Sequence, residues 1–281
     1  MNKKKILSIV GSIVFLGILY FIYDTMTYVG TDNAQIGAHV TMLSSRVNGT
    51  IQQVLVKENQ KVKAGDVLAQ IDTADYSNAS QAAGAQVSGL EARVKEAESN
   101  FTRAQSLFKE QAISRERFDA AQASYHDATA KLKAAKAQAD QASLNVSYTK
   151  IIAPADGMIA KKSVEMGQFV GMGQPLFGFV EDGERWVDAN LKETQISGII
   201  PGRAVKVSVD AISGKSFQGV VESIGPATGA LFSLLPPDNA TGNFTKVVQR
   251  VPVRIKLLNL TEQQVDELRA GLSADVSIRR R

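Results

Sequence analysis

The feature that most constrains this chain is a repeat whose two copies stand far apart. Residues 46–72 and 154–180 match at a constant offset of 108, pairing Gly49 with Gly157, Ile51 with Ile159, Val56 with Val164, Gln60 with Gln168, Val62 with Val170, Gly65 with Gly173 and Leu68 with Leu176. Each copy sets Asn59 or Gly167, residues that tolerate positive φ, in a polar turn. Two short β-rich halves this alike are expected to pair into one small module. Everything between them must then leave that module and return to it, so the chain is built to project something.

The projected segment is expected to be an antiparallel helical hairpin. Residues 73–152 contain no proline and are rich in Ala, Gln, Lys and Glu, all strong helix formers apart from their two glycines. In the first arm Leu90, Val94, Ala97, Phe101, Ala104 and Phe108 recur at alternating spacings of four and three. In the second, Phe118, Ala121, Tyr125, Ala128, Leu132, Ala135, Ala139, Ala142 and Val146 follow the same rule. A sustained 3.5-residue period is that of a coiled-coil seam. The phase changes across Lys109–Ser114, a short connection with Ser114 placed to cap the second arm. Arms of about 35 residues give a rod about 50 Å long. Alanines at 120, 123, 134 and 137 lie off the seam. They suit either sideways packing against copies of the same chain or a narrow, self-sufficient hairpin. Arg103 and Leu107 are i,i+4 neighbours just off the seam near the turn. Spacing alone accounts for them as a solvated Arg and a core-widening Leu.

Residues 6–23 form an uncharged, mostly apolar run long enough to cover about 27 Å. Lys3, Lys4 and Lys5 precede it while Asp24 and Asp32 follow, which places the amino terminus in the cytoplasm and the remaining chain outside. A retained single-pass anchor fits better than a cleaved signal peptide, because the run exceeds a usual signal core and no small-x-small site follows it. The formal net charge of +4 could suggest nucleic acid, but the basic residues gather at the two termini and no basic stripe with interleaved aromatics appears. No nucleic-acid partner is expected.

From Trp186 onward the pattern alternates. Val205, Val207 and Val209 interleave with polar residues, as do Val251, Val253, Ile255 and Leu257, and Val276 and Ile278 close the series. Period-two segments separated by Gly- and Pro-containing turns argue for a small antiparallel barrel or sandwich, with Thr31–Val40 available as its first strand. A long loop, Pro226–Lys246, carries Phe232, Leu234, Leu235 and Phe244, which either meet a partner or fold back onto the β domain.

Enzymatic chemistry has little to stand on. The absence of cysteine excludes thiolate catalysis, disulfides and Cys-based metal sites, and the two histidines sit in unrelated contexts. Gly171-Met172-Gly173 lacks the third glycine of a dinucleotide loop, no phosphate-binding loop is present, and no carboxylate pair is placed for acid–base work. No catalytic, cofactor-binding or metal-binding residue is nominated.

The order of anchor, half-module, hairpin, matching half-module and β-barrel resembles the membrane fusion proteins, or periplasmic adaptors, of the HlyD type. Two stretches, ATGALFSLLPPDNATGNFTKVVQRVPVRI at 227–255 and VDANLKETQI at 187–196, are similar to the EmrA-like branch. The resemblance implies a mixed α and β, elongated fold. Residues 1–5 would form a cytoplasmic tail, 6–23 a transmembrane helix, and 24–45 a linker and first barrel strand. The halves of a split lipoyl-like domain (a barrel-sandwich hybrid) would be 46–72 and 153–180, interrupted by a coiled-coil hairpin at 73–152, with a β-barrel at 181–281. It further implies a noncatalytic adaptor in the inner membrane that links an exporter, proton-driven and of the major-facilitator type, to a TolC-like outer-membrane channel for export of toxic compounds. Self-assembly as a trimer or hexamer goes with it. The family's tip motif falls on Arg103, Leu107 and Ser114, which would dock the channel, while Phe232, Leu234, Leu235 and Phe244 would contact the exporter. The hairpin is short for this branch. An adaptor for ATP-driven protein or peptide secretion would share the architecture. A lipoyl or biotinyl carrier would need a lysine at the tight hairpin between its halves, which the insertion replaces.

Overall fold

A computed structural model describes residues 27–232 and 248–280, together with residue 15. The apolar run at 6–23 falls outside the described residues, apart from that single position. Among the described residues no helix is long and apolar enough to cross a membrane. The chain divides into two units, one of residues 40–181 and one of residues 1–39 with 182–281.

The first unit weaves the two half-repeats together. Its strands are β2 (Val40–Ser44), β3 (Gly49–Val54), β4 (Lys61–Val62), β5 (Val67–Ile71), β6 (Lys150–Ile152), β7 (Gly157–Lys162), β8 (Phe169–Val170) and β9 (Pro175–Glu181). One sheet has the order β2-β9-β7-β4 and the other β6-β5-β3-β8, so each sheet takes strands from both halves. The offset of 108 carries β3 onto β7 and β4 onto β8, and it also carries over the cross-connections. Asn59 N–H donates to the Ile159 carbonyl at 2.7 Å, and its counterpart Gly167 N–H donates to Ile51 at 2.8 Å. Gly65 N–H reaches Ala153 at 2.9 Å where Gly173 N–H reaches Ser45 at 2.8 Å. Asn59 and Gly167 have φ of 63° and 83°, the left-handed geometry that the sharp polar turn requires. Repeat-matched pairs Ile51 and Ile159, Val62 and Val170, and Leu68 and Leu176 all lie in one buried core with Phe177 and Phe179.

Two long helices leave and re-enter this unit. They are α1 (Ala74–Lys109) and α2 (Arg115–Tyr148). Antiparallel pairing of β5 with β6, with Ala69 opposite Ile151, brings their roots side by side. The buried Thr149 fixes the exit, since Gln70 Nε2 donates to its Oγ1 at 3.0 Å and Ile71 N–H donates to its carbonyl at 2.8 Å. The Tyr76 hydroxyl donates to the Asn48 carbonyl at 2.7 Å, and the Arg46 guanidinium lies over the Tyr148 ring at 5.0 Å. Along α1 the partly or fully buried positions run Tyr76, Ser80, Ala83, Val87, Leu90, Val94, Ala97, Phe101 and Ala104, a four-three alternation along its length. Gly84 and Gly89 lie on its exposed face. Lys136 Nζ meets Glu91 Oε1 at 2.9 Å between the two helices, a solvent-exposed pair that marks register more than it stabilises.

The second unit is a closed six-stranded barrel of order β1-β10-β13-β12-β11-β14. Its strands are β1 (Tyr28–Gly37), β10 (Trp186–Lys192), β11 (Ala204–Val209), β12 (Ser216–Ile224), β13 (Arg250–Leu257) and β14 (Ser273–Arg279). Alternation sends Val205, Val207 and Val209 inward, with Val253, Ile255, Ala274, Val276 and Ile278 completing the core. A short helix, α3 (Glu262–Glu267), interrupts the β pattern and starts in a capping box between Thr261 and Gln264. It delivers Leu268 into the barrel core, and the Arg185 Nε donates to the Leu268 carbonyl at 3.1 Å. Burial pulls the Arg185 guanidinium below its ordinary pKa, while Asp182 and Asp266 oppose that shift. On the outer face the Trp186 ring lies against Gly37, where a Cβ would collide with it, and the Arg254 guanidinium stacks on the ring at 4.7 Å.

Two glycines in the first unit should respond oppositely to substitution. A Cβ at Gly157 would come closer than 3.0 Å to the Val180 carbonyl and the Phe179 ring, so Gly157→Ala is expected to destabilise by about 1–3 kcal/mol. A Cβ at Gly89 meets nothing within 4 Å, so Gly89→Ala should stabilise α1 by about 1 kcal/mol. Urea titration followed by circular dichroism and by Tyr fluorescence checks both signs.

Candidate docking site at the helical turn

The turn between α1 and α2 is built by backbone chemistry that Ser114, Leu107 and Gln111 share. Gln111 takes φ of 55°, and its N–H donates to the Phe108 carbonyl at 3.0 Å while Ala112 N–H donates to the Leu107 carbonyl at 2.8 Å. These reciprocal bonds are those of a Schellman C-cap, which satisfies the carbonyls left over at the end of α1. At the start of α2, Ser114 has extended backbone and its Oγ accepts the Arg117 N–H at 3.4 Å. The turn is therefore closed at both ends.

Below the turn, aromatic rings replace the alanines of the seam. Phe108 stacks on Phe118 with centroids 5.0 Å apart, Phe118 meets Phe101 at 5.8 Å, and Phe101 lies parallel to Tyr125 at 5.7 Å. Such pairs add about 0.5–1.5 kcal/mol each beyond the area they bury. They stiffen the part of the pair where the alanine seam would bury least.

Arg103, Leu107 and Ser114 are all exposed, with Leu107 at 37%. Arg103 and Leu107 stand one helical turn apart on α1, and Ser114 lies across the turn with its oxygen engaged as the cap. Phe108 is exposed at 36% beside Leu107. The site thus offers an apolar patch next to a cation, on a turn fixed by its own hydrogen bonds. Gln111 has no sequence signal comparable to Gly or Asn at a left-handed position, so its part in the turn is visible only in the backbone geometry.

Of the second set of residues, the long loop is described only as far as Phe232. It begins with a single 3-10 turn at Gly229–Phe232, in which Leu231 is 71% exposed. Leu234, Leu235 and Phe244 lie outside the described residues, as does the Phe232 side chain. The off-seam alanines 120, 123, 134 and 137 are all exposed. Among the described residues no group of three His, Cys, Asp or Glu side chains is placed to hold a metal ion.

The chain matches known proteins along nearly its whole length. Residues 38–181 match a family model described as the barrel-sandwich hybrid domain of RND membrane fusion proteins, and residues 185–230 match a CusB-like β-barrel domain. The chain is 32% identical to the colistin resistance protein EmrA of Acinetobacter baumannii, over 99% of this chain and 95% of that protein. It is 35% identical to the multidrug export protein EmrA of Haemophilus influenzae, over 99% of this chain and 84% of the relative. Among solved structures, the periplasmic adaptor protein EmrA superposes with a TM-score of 0.51 at 22% identity, covering 91% of this chain and 99% of that one.

The Ser114 cap can be separated from any docking role of the same residue. Ser114→Ala should raise hydrogen exchange of the Arg117 amide about fivefold, the equivalent of about 1 kcal/mol, while Ser114→Asp should hold it near the native rate. Amide exchange resolved by mass spectrometry or NMR reads both variants.

Proposed function

We propose a mechanism from one premise: the chain belongs to the EmrA-like branch of the membrane fusion protein family. It is a noncatalytic periplasmic adaptor of a multidrug efflux pump. In the proposed arrangement residues 6–23 cross the inner membrane once with the amino terminus in the cytoplasm, and the bulk of the chain is periplasmic. The α1–α2 pair acts as a coiled-coil hairpin that carries the turn away from that membrane. Its turn docks a TolC-like outer-membrane channel through Arg103, Leu107 and Ser114. The loop at 226–246, with Phe232, Leu234, Leu235 and Phe244, contacts an inner-membrane exporter of the proton-driven major-facilitator type. Copies of the chain assemble as a trimer or hexamer, with the exposed alanines 120, 123, 134 and 137 allowing neighbouring hairpins to approach closely.

The observation that carries the docking role is the exposure of Leu107 and Phe108 beside Arg103 on a turn closed by its own backbone. Apolar side chains held at 37% and 36% exposure on a rigid turn lose little further entropy when a partner covers them. The neighbouring cation adds orientation, because a misdirected partner would leave it desolvated and unpaired. No part of this reading requires a reaction at the chain itself. Passage is driven by the exporter, and the adaptor contributes a sealed path between two membranes.

Charge reversal by Arg103→Glu, or a polar replacement by Leu107→Asn, should abolish drug efflux while leaving expression and membrane insertion intact. Drug susceptibility measured beside immunoblots of the membrane fraction tests this directly. Full resistance in both variants would remove the docking role.

A further inference from the structure

The adaptor reading leaves two arginines at one rim of the barrel without a task. Strand β11 pairs with β14 so that Val205 lies opposite Ile278 and Val207 opposite Val276. Arg203 stands two residues before Val205 and Arg280 two residues after Ile278, so both lie at the same end of this strand pair. Both positions keep the parity of the buried Val205, Val207, Val276 and Ile278, so both side chains start from the inward face of the barrel. The Nε of Arg203 and the Nε of Arg280 are buried, and neither has a hydrogen-bond partner. No carboxylate among the described residues forms an ion pair with either guanidinium.

Closing a barrel rim does not call for this arrangement. Like charges gathered at one end of a strand pair repel, and a buried N–H without a partner keeps its full desolvation cost. An oxyanion between the two guanidinium groups relieves both penalties together, because each planar fork can offer two N–H donors to a phosphate. The location identifies the source of that phosphate. Arg280 N–H donates to the Thr27 carbonyl at 2.8 Å and Arg279 pairs with Tyr28, so this rim is where β1 begins. Thr27 follows the last residue of the apolar run by four residues, a span of at most about 14 Å. The exposed Tyr28 and Arg279 flank the same rim.

We infer that this rim binds the phosphate of an anionic phospholipid in the leaflet from which the chain emerges, with Arg203 and Arg280 as the paired ligands. The inference rests on residues 6–23 being a retained anchor. The bound headgroup would fix the barrel against the membrane surface.

The test uses the full chain in lipid nanodiscs of phosphatidylcholine, with and without phosphatidylglycerol, followed by amide hydrogen exchange at 198–206 and 273–280. Phosphatidylglycerol should slow exchange in both segments, by about fivefold for each arginine engaged. Arg203→Gln and Arg280→Gln should each remove about one such factor, whereas Arg203→Lys should keep part of the protection. Equal exchange in the two lipid compositions overturns the inference, and so does protection that survives both glutamine variants. Inorganic phosphate added to phosphatidylcholine discs separates the sources: protection restored by phosphate alone would make the rim a soluble-oxyanion site. The same samples report on the anchor. A chain that leaves the discs overturns the anchor and this inference together, while a chain that stays seated without lipid-dependent protection overturns only the inference.

Discussion

The reciprocal hydrogen bonds between the two half-repeats are the constraint on which the first unit depends. Asn59 N–H reaches across to Ile159, and Gly167 N–H reaches back to Ile51. Each half pairs two of its own strands, β3 with β5 and β7 with β9, but neither completes a four-stranded sheet alone, because each sheet takes strands from both. The chain must therefore complete the α1–α2 excursion and return before either sheet is complete. Contacts this distant in sequence cost loop-closure entropy before they repay it, and a preformed helical pair shortens the effective loop. The helices are in this sense part of how the β unit closes as well as what it carries.

The helical pair itself divides into two regimes. Its middle is an alanine seam in which only Ala97 and Ala135 are fully buried, which permits close approach and little area. Near the turn, Phe101, Phe108, Phe118 and Tyr125 form a stacked set, and backbone caps close the connection at both ends. Stiffness is concentrated at the turn proposed to dock. The long middle, with exposed alanines on its outer side, suits a rod that shares its stability with neighbours of the same kind.

The barrel follows different physics. Six strands close on a core dominated by Val, Ile and Ala, so no sheet edge is left open to pair with another chain. The chain passes between the two units twice, at residues 39–40 and 181–182. Strand β1 opens the barrel directly after the segment proposed as the anchor, and this juxtaposition puts basic side chains beside the proposed membrane surface. A noncatalytic family adaptor thus still carries specific polar chemistry in each unit: a capped turn with Arg103 in the first, and Arg203 with Arg280 at the barrel rim of the second.

Much of the architecture was legible in the sequence because it is written in local periods. The offset of 108 marked the matched halves, the four-three spacing from Leu90 to Ala104 marked a helix seam, and the alternation at Val205–Val209 marked barrel strands. Leu107 and Arg103 could be placed near the turn by spacing, but spacing did not distinguish a docking pair from a solvated one. The pairing of distant strands required the tertiary structure. Alternation allowed a barrel or a sandwich, and closure through β1 with both β10 and β14 decided for the barrel. The capping box at Thr261 and Gln264 lay unread within a β-patterned region, and Gln111 took a left-handed φ that its residue type does not advertise. The gathering of Arg203 and Arg280 at one rim was equally invisible, since they are far apart in the chain and share that rim only because β11 pairs with β14. A one-dimensional period specifies which face of a strand or helix is buried. Which residue stands opposite another is set by register and closure, and those exist only once the chain has folded.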